Sequence, residues 1–548
     1  MAPLSNELRS MLEREIIRAR EIAEEEAESA LIRLAVNRNE PFASLDAEQR
    51  RLRNALRAKA RQLGGGSVSQ DTGFKLLVEE VAYEQWHRRL FARFLAENSL
   101  LMHPSGVAVT LEECDELAGE EGEADGWQLA ARYASLMLPG IFRADDPAVK
   151  VQYSPEGRHK LERIITDFPS VLFTAEDTLG WVYQFWQTKR KQEVNNSGRK
   201  IGGEDLATVT QLFTEHYMVQ FLLENSLGAW WAARHPTSPL LKQFTYLRYK
   251  DDGTPAAGTY PGWPERAAKV TMMDPCCGSG HFLVAAFEML KQMRIEEEDL
   301  SEKQAADAVL RDNLFALEID PRCTQIAAFA LAITAWKSGG YHQLPLPNIA
   351  CSGIAVTGQL ETWTKLVGDD VNLRQTLERH YNLFRNAPDL GSLINPNDVP
   401  LRDRMFSADY AQVEPLLARA LAKERTNNDP VSAVFGAAAE GVAKAARLLA
   451  DTYTLVATNV PYLKRGKQNE VLMQFCEVHY PEARADLATV FIERCRTFTT
   501  PHGSYALVTP QNWLFLGTYQ KMRKSMICEL TWNYVSRLGA RAFKTIRG

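Results

Sequence analysis

Several things are scarce or missing in this sequence of 548 residues, and each absence excludes a class. No run is long and apolar enough to cross a bilayer as a helix, so a membrane-spanning protein is not expected. Apart from the adjacent Cys276 and Cys277 the eight cysteines lie far apart, and they form no CxxC pair, which argues against a zinc site or a disulfide frame and for reduced thiols. There is no GxxxxGK[ST] phosphate loop and no defensible PD…ExK constellation, so neither P-loop hydrolysis nor that nuclease chemistry is supported. A net charge of −6 does not advertise nucleic-acid binding. The N-terminus, MAPLSNELRSMLEREI, is amphipathic and acidic, unlike a signal peptide. The expectation is a soluble cytoplasmic protein without a membrane partner.

What is present is ordinary in bulk, with 45% hydrophobic and 24% charged residues, and long enough for two or three domains. Residues 6–62 and 72–98 show helical periodicity, the second stretch rich in aromatics (Phe74, Tyr83, Trp86, Phe91, Phe94) that read as core. Glu112, Glu113, Asp115, Glu116, Glu120, Glu121, Glu123 and Asp125 read as an acidic solvated loop. Thr178 to Trp186 reads as a further helix, and Lys189 to Gly203 as a polar linker. Leu206 to Trp231 reads as a loop and then a helix with Thr214 at its N-cap. From Val270 onward strand and helix signals alternate, the pattern of a parallel sheet with crossover helices, interrupted by a helical insertion over about 360–450.

Three stretches of this alternating region carry chemistry. The first is a strand, Val270 to Met273, followed by Asp274-Pro275-Cys276-Cys277-Gly278-Ser279-Gly280-His281-Phe282 and a helix. Glycines at such a turn admit a ligand to the backbone, and the helix start offers free N–H groups. An acid ending the strand suits a ligand with an ammonium group. The second is a strand from Asn313 to Leu317 ending in Glu318-Ile319-Asp320-Pro321. An acid there is where a ribose diol is gripped; Ile319 can pack on an adenine, and Asp320 with Pro321 reads as a helix start. The spacing between the two exceeds the roughly 20 residues of the dinucleotide fingerprint. The charged segment Arg294 to Gln304 reads as a helical insertion that accounts for the excess. A diol grip plus an ammonium–carboxylate grip points to S-adenosylmethionine. The third is the strand Tyr453 to Ala457 leading into Asn459-Val460-Pro461-Tyr462, where an amide, a stiff turn and a flat ring make a clamp for a planar amine.

Together these motifs resemble those of N6-adenine-specific DNA methyltransferases. Asp274-Pro-x-x-Gly278-Ser279-Gly280-x-Phe282 is similar to the family's first motif, Glu318-Ile319-Asp320-Pro321 to its second, and Asn459-Val460-Pro461-Tyr462 to its catalytic Asn-Pro-Pro-Tyr. Phe213-Thr214-x-x-x-x-Val219 resembles the entry that closes over the methionine end of the cofactor, and Ser504 to Trp513 the strand after the catalytic loop. The helical N-terminal part is similar to large phage-defence enzymes of the DISARM or BREX (PglX-like) type, with a lean towards DISARM. Val460 departs from the family's first proline and Glu215 from the proline usual after Thr214. The third-motif acid has no counterpart in Pro347 to Ser352, which leaves Asp389 as a candidate.

The resemblance implies an α/β fold, a Rossmann-like parallel sheet of the S-adenosylmethionine-dependent kind with a helical N-terminal domain and a helical insertion. It divides the chain into a helical region at 1–170, a helix and linker at 171–210 and a catalytic domain at 211–548, with the target-recognition domain not present. Thr214, Asp274, Gly278, Ser279, Gly280, Phe282, Glu318 and Ile319 would hold S-adenosylmethionine. Asn459, Val460, Pro461 and Tyr462 would act on an adenine flipped out of double-stranded DNA, without a metal. Lys521, Arg523, Lys524, Arg537, Arg541, Lys544 and Arg547 form a basic stretch that could meet phosphates. Partners would be DNA and other defence subunits such as a helicase or nuclease. A silent assembly subunit, an RNA N6 methyltransferase and a protein glutamine-N5 methyltransferase are the alternatives.

Overall fold

The computed structural model describes residues 4–64, 70–175, 177–211, 213–356, 360, 371–398, 441–539 and 542–543. The chain divides into two compact units. One is built on Met1–Lys189 with Ala355–Tyr381 and Phe406–Ala443, the other on Arg190–Ile354, Asn382–Met405 and Lys444–Gly548.

The first unit is helical among its described residues. Its long helices are α1 (Asn6–Arg33), α2 (Ala47–Leu63) and α3 (Gln70–Glu97). Ser5 caps α1 by accepting from the Leu8 N–H, and Asp46 and Gln49 form a reciprocal capping box on α2. The aromatic stretch is core: Tyr83, Trp86 and Phe91 are buried, and Trp86 stacks on Trp186 at 6.0 Å between centroids. The acidic segment is not a loop throughout. Thr110 and Glu113 form a capping box that starts a helix, Leu111–Leu117, because acids in a first turn favour the helix dipole. Residues 178–186 are helical as expected.

The second unit carries five parallel strands: β1 (Met272–Asp274), β2 (Leu314–Glu318), β3 (Asn348–Cys351), β4 (Tyr453–Asn459) and β5 (Thr499–Val508). Their order is β3-β2-β1-β4-β5, with Asp274 beside Ala316 and Met273 beside Val456. The chain winds outward from β1 in one direction and returns to β1's other side with β4, so the β1/β4 boundary is a topological switch point. Asn313 sets the start of β1: its side-chain amide donates to the carbonyls of Ala267 (2.8 Å) and Val270 (2.7 Å). Leu283, Phe287 and Leu290 of the helix His281–Glu298 pack with Trp230, Trp231, Met272 and Leu455 in one core.

Two local expectations change. The segment Arg294 to Gln304 is largely helical as expected but is not a single piece: it is the junction of helices His281–Glu298 and Glu302–Asp312. Ser301 and Gln304 form the second helix's capping box, and Arg294 ties the pair by bonding Glu298 (2.7 Å) and Asp312 (3.1 Å). Leu206 to Trp231 holds a short helix Glu204–Thr210, an extended stretch, then helix His216–Leu223 running through a π turn, Glu224–Gly228. Within the expected insertion, Val371–Arg385, Ala387–Leu390 and 441–450 are helical; 399–440 lie outside the described residues.

Candidate active site

Because all five strands run the same way, their C-terminal ends share one edge of the sheet, where open α/β folds bind ligands. Asp274 ends β1, Glu318 ends β2 and Asn459 ends β4, on three adjacent strands. Residues far apart in sequence are therefore neighbours for a reason of topology alone.

After β1 the backbone turns with Gly278 at φ 51° and Gly280 at φ 90°, left-handed conformations that glycine adopts without strain. A Cβ on Gly280 would also come within 3.0 Å of the Ala327 backbone, so the turn is packed directly against the helix Pro321–Gly339. Ser279 sits between the two glycines, half-buried. Phe282 is 3% exposed and belongs to the core, where it anchors the helix start. Cys276 and Cys277 are held well above the usual thiol range by burial, so neither is poised as a nucleophile.

Glu318 knits the two halves of the site together. One carboxylate oxygen accepts from the Gly278 N–H at 2.9 Å; the other accepts from Ile319 (2.9 Å) and Asp320 (3.1 Å). Burial nonetheless outweighs these donors and pushes its pKa up to about 7. Burial likewise pushes Asp274 up to about 7, with the Glu318 charge adding to it. No ion pair reaches either carboxyl among the described residues, although both are under a tenth exposed. Asp320 caps the next helix by accepting from the Arg322 N–H at 2.9 Å, with Pro321 at its first position. Ile319 is backed by two glycines: a Cβ on Gly353 would meet its carbonyl oxygen at 2.1 Å, and one on Gly391 its Cδ1 at 3.0 Å.

At the end of β4 the amide of Asn459 is held from both sides. Its Nδ2 donates to the Thr214 hydroxyl at 3.1 Å, and its Oδ1 accepts from the Tyr462 hydroxyl at 2.7 Å. Thr214 is therefore not a helix cap. Glu215 stands at that position with no side-chain cap bond, and the Thr214 hydroxyl is spent on Asn459. Val460 is buried, and no hydrogen bond among the described residues occupies its carbonyl. Asp486, which no sequence motif singled out, steadies the segment after Pro461 and Tyr462: its carboxylate accepts from the Leu463 (3.3 Å) and Ala488 (3.0 Å) N–H groups. Phe213 meets His281 edge to face at 4.4 Å, joining the Thr214 segment to the glycine turn. Asp389 serves elsewhere: its Oδ1 accepts from the Gly203 N–H and the Asn469 Nδ2, both at 2.6 Å. No group of three or more His, Cys, Asp or Glu side chains among the described residues could hold a metal. None of the helices there is long and apolar enough to cross a membrane.

The sheet order and the acid-ended strands are those of an α/β methyltransferase fold. Residues 312–543 match the family described as Eco57I restriction-modification methylase, and residues 262–343 match the MmeI DNA-methyltransferase domain. The chain is 28% identical to the adenine-specific methyltransferase BrxX of Escherichia coli O9:H4 (strain HS), over 88% of this chain and 44% of that protein. It is 27% identical to the adenine-specific methyltransferase PglX of Lacticaseibacillus casei (strain Zhang), over 86% and 43%, and 23% identical to PglX of Streptomyces coelicolor, over 64% and 26%. The chain thus spans less than half the length of these relatives. They are of the kind the motifs resemble, adenine-specific methyltransferases.

Proposed function

We propose that the second unit is an S-adenosylmethionine-dependent methyltransferase domain acting on the N6 amine of an adenine extruded from double-stranded DNA. We read the chain as part of a phage-defence enzyme of the BREX kind, which the BrxX and PglX relatives favour over DISARM. In this reading the catalytic part is 211–548 with a helical insertion, and the helical region at 1–170 and the linker at 171–210 precede it.

The residues suit the cofactor. Two buried carboxyls without a cation, Asp274 and Glu318, flank a glycine turn that leaves the backbone open, which fits a ligand carrying an ammonium and a diol. Gly278, Ser279 and Gly280 would leave room for it, Ile319 would flank its adenine, Thr214 would close the methionine end, and Phe282 would hold the turn from the core. When bound, S-adenosylmethionine supplies an activated methyl group.

The observation that carries the catalytic reading is the double restraint on Asn459. An adenine N6 amine is a weak nucleophile because its lone pair is delocalised into the ring. Acceptors aimed at its two hydrogens favour a pyramidal nitrogen. The Tyr462 hydroxyl, as a donor, orients the Asn459 amide with its oxygen towards the loop, and that oxygen has a second lone pair to accept from an amine. The Val460 carbonyl is the second acceptor; a valine keeps that carbonyl and gives up only proline's fixed φ. Pro461 sets the turn, and the Tyr462 ring would stack on the base, a contact worth ~1–3 kcal/mol. Positioning supplies much of the remaining rate.

The test is transfer of a tritiated methyl group to DNA, with and without candidate helicase or nuclease partners. Asn459→Ala is expected to lower turnover by about 10²–10³-fold, by analogy with loss of one polar group at a reacting centre, while S-adenosylmethionine still binds. Unchanged transfer to DNA by that variant sinks the catalytic reading. Cofactor binding with no transfer in any mixture points to an assembly subunit, and label in RNA or protein instead points to the other acceptors.

A further inference from the structure

Two exposed segments far apart in the chain run side by side next to the catalytic loop, and both are basic. The first is Arg199-Lys200; the second is Lys464-Arg465-Gly466-Lys467, which begins just past Tyr462 and Leu463. Ile201 pairs with Gln468 as in a parallel sheet, the Ile201 N–H donating to the Lys467 carbonyl (2.7 Å) and the Asn469 N–H to the Ile201 carbonyl (2.8 Å). The Lys200 ammonium donates to the Gly466 carbonyl, stitching the tips together.

The pair is braced from behind. Asp389 takes hydrogen bonds from Gly203 and Asn469 on either segment. A Cβ on Gly202 would fall 1.9 Å from the Asn469 side-chain amide nitrogen and 2.5 Å from the Asp389 carboxylate, so only glycine leaves room for this brace. Buried Gln468 donates to the Leu463 carbonyl at 3.0 Å, closing the second segment on itself, and the Arg465 N–H donates to the Ala485 carbonyl at 3.0 Å. A rigid frame thus fixes where the cations stand relative to Tyr462.

The charges divide into two sorts. Arg199 pairs with Asp205 and Arg465 with Glu477. Lys200, Lys464 and Lys467 are exposed and make no ion pair with an acid among the described residues. Three exposed ammonium groups without an ion pair, on an edge whose backbone is braced, add little to stability. They are well suited to a polyanion whose charges recur along a line.

We infer that Lys200, Lys464 and Lys467 form a phosphate-gripping edge that holds the backbone of double-stranded DNA beside the base to be extruded. The inference rests on the proposed adenine-methyltransferase reading and adds to it the surface that holds the strand. Such an edge positions without reading sequence, because phosphates carry none. It is independent of the basic stretch at Lys521, Arg523 and Lys524.

The full 548-residue chain is used for the test, with fluorescence anisotropy of a labelled duplex measured across a salt series and S-adenosylmethionine binding measured by calorimetry. The triple variant Lys200→Gln/Lys464→Gln/Lys467→Gln is compared with Lys521→Gln/Lys524→Gln. If all three lysines touch phosphates, the slope of log affinity against log salt falls by about 2.7, at roughly 0.9 per contact, and affinity near physiological salt falls at least tenfold for any duplex sequence. S-adenosylmethionine affinity stays within twofold, which shows that the sheet edge is intact. An unchanged slope in the triple variant, or a loss found only in the Lys521/Lys524 variant, overturns the inference while leaving the methyltransferase reading untouched. A wild-type chain that binds S-adenosylmethionine but no duplex at low salt overturns both.

Discussion

The two units treat buried charge in opposite ways. In the first, α2 and α3 bury a network in which every acid has a cation: Lys59 lies 3.1 Å from Glu80 and also bonds Asp146, while Arg143 bonds Glu84. Burial works against the Lys59 charge, yet Glu80 and Asp146 hold its pKa above the ordinary value. In the second unit Asp274 and Glu318 are as deeply enclosed and have no cation, and both are driven to about 7. A buried cation of that unit, Arg494, is satisfied without an acid: it donates to the carbonyls of Ser392, Ile394 and Leu449 and to the Thr497 hydroxyl. Glu224 and Asp486 of this unit are also buried without an ion pair among the described residues, and burial raises both; Asp274 and Glu318 differ in ending the adjacent strands β1 and β2 at the C-terminal edge of the sheet. Two buried acids that end adjacent strands with N–H donors but no cation make an edge that favours a cationic group.

The contrast can be broken most forcefully in the first unit. Lys59→Met leaves Glu80 and Asp146 with Arg143 alone among the described residues, 3.9 Å from each, and removal of one partner from a buried network costs about 3–5 kcal/mol. Urea unfolding should show that loss; a cost under about 1 kcal/mol would mean the network is better hydrated than its burial suggests.

Asp274→Asn should do the reverse in the second unit. In the folded protein the Asp274 and Glu318 carboxyls keep their protons until about pH 7, whereas unfolded carboxyls release theirs near pH 4. Between those values the unfolded chain binds fewer protons, so stability without ligand falls as pH rises through that window and levels off above it. Asp274→Asn removes one of the two ionisations. At pH 8 it should raise ligand-free stability on the order of 1–3 kcal/mol, flatten the pH dependence and weaken S-adenosylmethionine binding at least tenfold. Thermal unfolding from pH 4 to 8, with and without the cofactor, reads all three. A destabilised variant at pH 8 would show that Asp274 is already compensated, and the contrast between the units would fail.

The smallest effect sharpens the same point at β4. Val460→Pro restores the proline of the resembled motif at the expense of one long hydrogen bond, Val460 N–H to the Val508 carbonyl at 3.4 Å. Stability should move by less than about 1 kcal/mol and turnover by a few-fold at most, because Asp486 already holds the loop through Leu463. A large gain in turnover would show that the loop is loose despite that brace.

How much of this was legible in the chain alone depends on the range of the interactions involved. The glycine turn, Glu318 and Asn459 are legible because each lies where an apolar strand stops, and a strand's end is a local event. Their convergence is a product of parallel topology, so the order of motifs was enough to anticipate one edge. Thr214 stands out in the sequence as a helix cap, but its hydroxyl meets Asn459, 245 residues away, a contact no local pattern shows. Asp486, the Asp389 brace and the Lys200–Lys464–Lys467 edge left no local trace, because each depends on backbones that meet only in the fold. The helix at Leu111–Leu117 is a different case: its capping box, Thr110 and Glu113, is in the sequence, but the density of acids around it reads as a solvated loop.

Arg494 has a consequence for how such a domain can change over time. Its guanidinium clasps two distant parts of the chain, Ser392 and Ile394 on one side and Leu449, just ahead of β4, on the other. The two ends of the intervening span are thereby pinned to one point. Closing a longer span between fixed ends costs only about 0.6 kcal/mol for each doubling of its length. A change of length between the two ends would therefore cost little while the clasp keeps β4 and its asparagine in place, although Val442, Ala445 and Leu448 within that span are themselves buried.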